Sequence, residues 1–353
     1  MAMENRYLYE ISSHTEKIGI PRVFNLLIAM YTTEHLSQHM TSQRLEIIDA
    51  LRGMAICGII FMNIPFLLEI PFQMPQADRY LLSRFEMIFR TKFYVILSFL
   101  FGVSAFIFVD HLRQKNLNPF LLFFRRLVFL FVVGVIHSFL HPGEALTVYA
   151  IIGLVLIPAF LIKPEWNFFV ACCAIILCIF FNPTYISVLA LFYLGYYIGQ
   201  IRFFYSTQNY TKTLVWVLMI SFIMALWGFY LLSEFKDTTY YFKILTLSGI
   251  MQAFTYMSMI ILLYNSIPLA KIVLRMLAPV GRLALTNYIL QTIIILLIGD
   301  SFGLKAKIYY TNAIYIATGI IIFQVAISNL WLHLFNYGPL EWVWRKWTYS
   351  FTL

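Results

Sequence analysis

The chain has 353 residues, of which 61% are hydrophobic and only 12% are charged. Soluble domains carry about a quarter charged residues, and a soluble fold of this length could not hide so much apolar surface. The composition therefore excludes an ordinary soluble domain and predicts an all-α integral membrane protein in contact with the lipid bilayer. The net charge of +9 does not indicate nucleic-acid binding, because the basic residues cluster between apolar segments.

The first 43 residues mix polar and apolar types, and their one apolar run, at 23–31, is too short to cross a bilayer. This stretch is predicted to be an N-terminal extension that lies at the membrane interface, with Met40 as an alternative start of the protein. The remaining residues, 44–353, are predicted to form a single transmembrane domain.

Ten apolar segments follow, and each is read as a transmembrane helix because about 20 mostly apolar residues cross the hydrocarbon core. They lie at 48–70, 92–109, 120–140, 145–162, 166–181, 186–201, 213–232, 244–264, 283–299 and 308–332. The loop at 71–91 is long enough for a re-entrant or interfacial helix. No internal repeat is evident.

The basic residues of alternate loops give the orientation. One side carries a nearly unopposed set: Arg44, Arg113, Lys115, Arg125, Arg126, Lys163, Arg202, Lys212, Lys271, Arg275, Arg282, Arg345 and Lys346. This side is predicted to be cytoplasmic, because cytoplasmic loops are rich in Lys and Arg. An even number of spans then places both termini in the cytoplasm, and we expect a multi-pass protein of the bacterial plasma membrane.

Polar residues at membrane depth are the first candidates for function, because their burial in lipid is costly. Asp49 and Arg52 lie three residues apart, on one face of the first span near its cytoplasmic end. They form either an anchoring ion pair or, with Arg125 and Arg126 from the same side, a cationic cup for a phosphorylated donor.

At the opposite end of the third span, His137 and His141 lie four residues apart, and Pro142, Gly143 and Glu144 follow. An imidazole beside a carboxylate is the arrangement of a general base, in which the carboxylate orients the ring. The alternative is a pair of interfacial histidines that cap a turn. Two histidines and one glutamate without further ligands do not predict a metal site.

Asn63 lies eleven residues after Arg52, towards the outer end of the first span, where it either joins helices by hydrogen bonds or contacts a substrate. The polar run GRLALTNY at 281–288 opens the ninth span, and its default role is helix packing. Four residues are assigned to substrate binding: His141, Lys92, Arg282 and Asn287. GPLEWVWR at 338–345 is predicted to form a turn and an amphipathic belt at the cytoplasmic interface.

Together these segments resemble the YeiB-like DUF418 membrane proteins. The similarity is carried by RLEIIDALRG at 44–53, by Lys92-Phe93 with SFLFG at 98–102, by His137 with GEAL at 143–146 and Tyr149, by GRLALTNY at 281–288 with Gln291, and by GPLEW at 338–342 with Arg345. It covers about residues 44–350, and the two C-terminal motifs are the most specific.

That group is itself similar to a wider set of transmembrane acyltransferases, which includes sugar O-acetylases and the lysosomal heparan N-acetyltransferase. The resemblance implies a cytosolic acyl-CoA donor and an acceptor on the far side of the membrane. Two departures stand out. Asn63 occupies the position, eleven residues after the arginine, at which the O-acetylases have a histidine, and Glu144 replaces the group's usual aspartate.

The sequence therefore predicts acyl transfer, with the phosphates of acyl-CoA held by Arg52, Arg125 and Arg126 and with no metal. His137, oriented by Glu144, would deprotonate an acceptor hydroxyl or amine, and Asn63 would donate a hydrogen bond to the oxyanion. The alternatives are a permease for a small or lipid-linked solute, which needs the same polar interior but no base, and a non-catalytic membrane partner.

Overall fold

The structure is a computed structural model and describes residues 46–181, 183–235 and 238–350, which are helices and their connections, without a strand among them. In chain order the helices are α1 Glu46–Leu67, α2 Gln76–Phe89, α3 Lys92–Gln114, α4 Pro119–Ser138, α5 Leu146–Val155, α6 Pro164–Phe180, α7 Pro183–Gln200, α8 Thr211–Glu234, α9 Tyr241–Ser266, α10 Pro268–Arg282, α11 Ala284–Ser301, α12 Tyr310–Leu334 and α13 Pro339–Tyr349. The prediction for residues 1–43 lies outside the described residues.

The all-α prediction is confirmed, and each of the ten apolar segments falls on a helix. Within the described ranges, seven helical segments are long and apolar enough to cross a membrane, α2 and α3 counting as one segment of 39 residues. The chain is therefore a helical membrane protein. The count of ten spans and the cytoplasmic placement of both termini stay predictions.

Two local features differ from the expected spans, and a third agrees with the prediction. The segment at 145–162 begins as α5 but becomes a 3₁₀ turn at Ile157–Phe160, because Pro158 removes a backbone donor. The loop at 71–91 contains α2, as the prediction allowed. Helix α10 was not predicted, since its three basic residues and its length of 15 residues fit no membrane span.

Helix α4 contains Arg125 and Arg126 in its first half and His137 in its last turn. Local sequence determines where this helix begins. The Asn118 side chain accepts hydrogen bonds from the N–H groups of Phe120 and Leu121, at 3.0 and 3.2 Å. Pro119 fills the first helical position, where no N–H is needed. Eleven residues separate Arg126 from His137, so the helical rise puts them about 16 Å apart.

Helices α1 and α10 touch through their backbones, which fixes the surroundings of Arg52. A Cβ at Gly53 would collide with the carbonyl oxygen of Leu277, and one at Gly281 with the carbonyl oxygen of Asp49. Only glycine permits this approach at both positions. The contact brings the carbonyl of Gly281 to 3.2 Å from an Arg52 nitrogen.

Candidate active site

His137 lies in the last turn of α4, with 2% of its surface exposed. Its Nε2 is 3.0 Å from Oγ1 of Thr292, and the ring of Tyr288 lies 5.1 Å away, centroid to centroid. Both of these residues belong to α11. The imidazole is thus held between α4 and α11, away from bulk water.

Glu144 lies beside the histidine in the connection between α4 and α5. Its Oε2 is 3.7 Å from Nδ1 of His137 and accepts a hydrogen bond from the N–H of Leu146 at 2.6 Å. Its Oε1 accepts from the N–H of Thr147 at 2.8 Å and from the Thr147 hydroxyl. The carboxylate therefore caps the start of α5, where the helix dipole favours a negative charge.

The charge of Glu144 is stabilised by these contacts. Burial alone would raise the pKa of its carboxyl group. The neighbouring His137, the Thr147 hydroxyl and two backbone N–H groups outweigh burial, so the pKa lies below its ordinary value. An ionised carboxylate at this distance favours the histidine tautomer with its proton on Nδ1, which leaves Nε2 as the acceptor of the Thr292 hydroxyl proton.

His141 is the second buried histidine of the cluster, with 6% exposure. Its ring lies 5.9 Å from the ring of His137 and 5.5 Å from that of Phe66 in α1. Burial, together with the adjacent His137, lowers the pKa of His141 to about 4, although Glu144 acts in the opposite direction. His141 is therefore neutral at neutral pH.

The Arg52 guanidinium lies at the other end of the bundle and is held by several groups. It donates to Oδ1 of Asp49 and to Oγ of Ser104, both at 2.8 Å, and to the carbonyl of Gly281 at 3.2 Å. The predicted ion pair with Asp49 is present. Arg282 also acts electrostatically on Asp49 and lies exposed at the end of α10.

Arg126 is close enough to Arg52 for the two charges to repel. Its guanidinium carbon lies 4.4 Å from the centre of the Phe108 ring and 4.3 Å from that of Trp344. Arg125 is tied to α13 through its carbonyl, which accepts from the indole N–H of Trp347 at 3.2 Å. Arg52 and Arg126 thus lie near each other at one end of α4, and Arg125 precedes Arg126 in the chain.

Three predicted substrate or oxyanion contacts lie outside the histidine cluster. Asn63 is half-buried in α1, one turn before Phe66, and its amide makes no hydrogen bond within the described residues. Lys92 is 1% exposed and faces α2, with Nζ 3.5 Å from the carbonyl of Glu86. Asn287 donates to Ser328 at 3.0 Å and to the carbonyl of Val280 at 3.2 Å, which supports its default packing role.

Thr292, Tyr288 and Ser104 contact the candidate residues but were not among the predicted site residues. Thr292 directly follows Gln291 of the polar run in α11, and Tyr288 ends that run one turn earlier. Their spacing of four puts them on one helical face, a signal that could have identified them. In the described part of the chain, no group of three or more His, Cys, Asp or Glu side chains is arranged to hold a metal ion.

Comparisons with known proteins identify the family of this chain. The family model described as "Protein of unknown function (DUF418)" matches residues 198–351. An uncharacterised 39.9 kDa protein from the amylase 3′ region of Bacillus acidopullulyticus is 34% identical over 87% of this chain and 94% of its own length.

Two further relatives are also uncharacterised proteins, and one of them is YeiB. The uncharacterised protein YxaH of Bacillus subtilis is 25% identical over 89% of this chain and 96% of its own length. The uncharacterised protein YeiB of Escherichia coli is 34% identical over 29% of this chain and 26% of its own length. No solved structure matches. The chain belongs to the YeiB-like DUF418 family of membrane proteins.

Proposed function

We propose that this protein is a cell-membrane acyltransferase that moves an acyl group from cytosolic acyl-CoA to a hydroxyl or amine on the outer side. The observation that supports the proposal is the pair of residue clusters at the two ends of α4. One end of this helix holds Arg126 beside Arg52, and the other holds His137 beside Glu144. An anion-binding end and a base at the other end, about 16 Å apart along one helix, suit a long phosphorylated thioester.

The proposal places the thioester arm of the donor on a route between the two ends, past buried polar groups of the bundle. Gln291 donates to the carbonyl of Ile56, one turn of α1 beyond Arg52, at 3.1 Å. Ser98 and the hydroxyl of Tyr149 are 2.6 Å apart. A thioester arm with amide groups would find hydrogen-bonding partners along this route.

The chemistry assigned to His137 is general base and then general acid catalysis. Nε2 takes the proton of the acceptor hydroxyl or amine while its oxygen or nitrogen forms a bond to the thioester carbonyl carbon. The C–S bond then breaks, and the leaving CoA thiolate takes that proton from the imidazolium. Glu144 stabilises the imidazolium, which carries one positive charge in a buried site. Asn63 is given no step, because it contacts neither histidine.

The test uses purified protein in liposomes, with acyl-CoA supplied outside and free thiol measured as CoA is released. His137→Gln should lower acceptor-dependent release about 100-fold or more. His333→Gln, an exposed histidine at the end of α12, serves as the matched control and should release CoA at the normal rate.

Two outcomes would contradict the proposal. Full turnover in the His137→Gln protein, at a normal melting temperature, would show that His137 is not the general base. Uptake of a solute into the liposomes without any release of CoA would instead establish a permease, which needs the polar interior and not the imidazole.

A further inference from the structure

The surroundings of Arg126 set it apart from the other membrane-embedded arginines. Phe108 of α3 and Trp344 of α13 each lie within 4.5 Å of its guanidinium carbon. Aromatic rings at this distance attract the cation and cover the flat faces of a guanidinium group. The N–H groups, which lie in the plane of the guanidinium, point away from both rings.

No acceptor for these N–H groups lies among residues 46–181, 183–235 and 238–350. The Arg126 side chain donates no hydrogen bond to any described residue. The neighbours that act on it electrostatically are the guanidinium groups of Arg52 and Arg345 and the Tyr349 phenol, and none of these is a carboxylate. A half-buried guanidinium next to two others, without a counter-charge, is costly unless an anion binds there.

The arginines with carboxylate partners show the contrast. Four such pairs occur among the described residues: Arg52–Asp49, Arg90–Glu86, Arg202–Asp110 and Arg275–Glu46. Arg345 is exposed on α13, and the aromatic partners of its guanidinium among the described residues are the rings of Tyr337 and Tyr349, at 5.0 and 5.4 Å. Arg126 and Arg345 therefore leave a positive charge that no described carboxylate offsets.

Helix α13 is fixed against α4 and α11, so the aromatic contact is preformed. The indole N–H of Trp344 donates to the carbonyl of Arg126 itself at 3.0 Å. Glu341 accepts from the N–H groups of Leu285 and Thr286, at 2.8 and 3.0 Å. The ring that orients the guanidinium is thus part of a helix anchored on both sides.

We propose that Arg126, whose guanidinium is held between the rings of Phe108 and Trp344, binds a diphosphate group with the assistance of Arg345. The C-terminal helix α13 is a required part of this site. A planar guanidinium with free N–H groups binds phosphate oxygens in a two-pronged manner. That the diphosphate is part of CoA rests on the proposed function.

The test is calorimetric titration of the full-length protein in nanodiscs of neutral lipid with CoA alone. Arg126→Lys keeps the positive charge but loses the planar, two-pronged guanidinium and its stacking on the aromatic rings. Trp344→Leu removes the indole ring. Each should weaken CoA binding about 10-fold, in line with a cation–π contact and a bidentate hydrogen bond. Trp344→Phe keeps an aromatic face and should stay within about 3-fold of the natural protein.

Trp342→Leu is the matched control, because Trp342 lies on the same helix, is exposed, and contacts Lys346 instead. It should bind CoA normally. Equal CoA affinity in Arg126→Lys, Trp344→Leu and natural protein would overturn the inference, while the CoA-release assay would still decide the proposed function separately.

Titration with inorganic pyrophosphate, and with nanodiscs that contain phosphatidylglycerol, distinguishes the sources of the anion. If the protein binds pyrophosphate through Arg126 but does not bind CoA, Arg126 is a diphosphate site and CoA is not its ligand. Loss of pyrophosphate and CoA binding in anionic nanodiscs alone would identify a lipid headgroup as the natural occupant.

Discussion

Glu144 and Glu341 both cap the start of a helix, and they lie near opposite ends of α4. Glu144 lies in the connection between α4 and α5, and Glu341 lies in the first turn of α13. Each carboxylate accepts two backbone N–H groups from the first turn of another helix and also a threonine hydroxyl, from Thr147 or from Thr286. Each carboxylate also lies next to a glycine, Gly134 or Gly338, at which a Cβ would collide with the hydroxyl oxygen of the same threonine.

The two regions differ in what else the carboxylate faces. Glu144 has Nδ1 of His137 at 3.7 Å, whereas no described histidine contacts Glu341, which instead anchors α13. A cap alone therefore does not indicate catalysis. The pairing of a cap with a buried imidazole is what distinguishes the candidate active site, and the two glutamates give a natural pair of experiments.

The largest expected difference is between Glu144→Gln and Glu341→Gln. Both should lose about 1 kcal/mol of stability, because a neutral amide is a poorer cap than a carboxylate. Glu144→Gln should also lower kcat roughly 100-fold, since the imidazolium loses its counter-charge. Glu341→Gln should keep kcat at saturating donor and raise the KM for acyl-CoA, because α13 is loosened.

Steady-state kinetics in liposomes, with melting temperatures measured on the same samples, check this pair. Equal loss of kcat in both variants, in proportion to their lost stability, would show that Glu144 is a cap and nothing more.

A smaller difference is expected between Gly134→Ala and Gly338→Ala. The new Cβ in α4 would lie 2.6 Å from the nitrogen of Thr147 and 3.1 Å from Oε1 of Glu144. Overpacking of this kind costs about 1–3 kcal/mol, and here it pushes the carboxylate relative to His137. Gly134→Ala should therefore reduce kcat, while Gly338→Ala should change donor KM.

Gly319→Ala provides the baseline for both substitutions, because a Cβ there meets nothing within 4 Å. It should leave activity unchanged and stabilise α12 slightly. Normal kcat in a folded Gly134→Ala protein would indicate that the position of Glu144 is not critical.

The smallest expected effect concerns pH. The pKa of His141 is lowered from 6.5 to about 4 by burial and by His137, so the unfolded chain binds its proton at a higher pH than the folded protein. The melting temperature should therefore fall as the pH drops from about 6.5 towards 4. Glu144, whose pKa is also lowered, adds its loss only at the acidic end of this range.

His141→Phe keeps a ring against Phe66 and cannot take up a proton. It should flatten the pH dependence of the melting temperature above pH 5 relative to the natural protein. An unchanged slope in this variant would assign the effect to another group.

The helical architecture could be predicted because the apolar segments are long and the breaks between them are marked by Pro, Gly and charged residues. Ends of segments were less certain where a helix such as α5 stops early at a proline. Helix α10 was missed because an amphipathic helix at an interface has neither the length nor the hydropathy of a span.

The candidate site could be predicted only in its local parts. Asp49 and Arg52, three residues apart on α1, are brought together by helix periodicity. The turn after α4, with Pro142 and Gly143, returns Glu144 to His137. The partners from distant segments, Thr292 beside His137 and Trp344 beside Arg126, depend on how α11 and α13 pack against α4. The burial that lowers the pKa of His141 likewise arises only in the folded bundle.

The most direct measurement is a structure of the protein with a non-hydrolysable acyl-CoA analogue. Acyl transfer along α4 predicts continuous ligand density from the Arg126 guanidinium to the Nε2 side of His137, with the diphosphate at Arg126 and the thioester mimic at the imidazole. An analogue bound elsewhere, with apolar side chains packed between Arg126 and His137 and no ligand reaching either, would contradict the account.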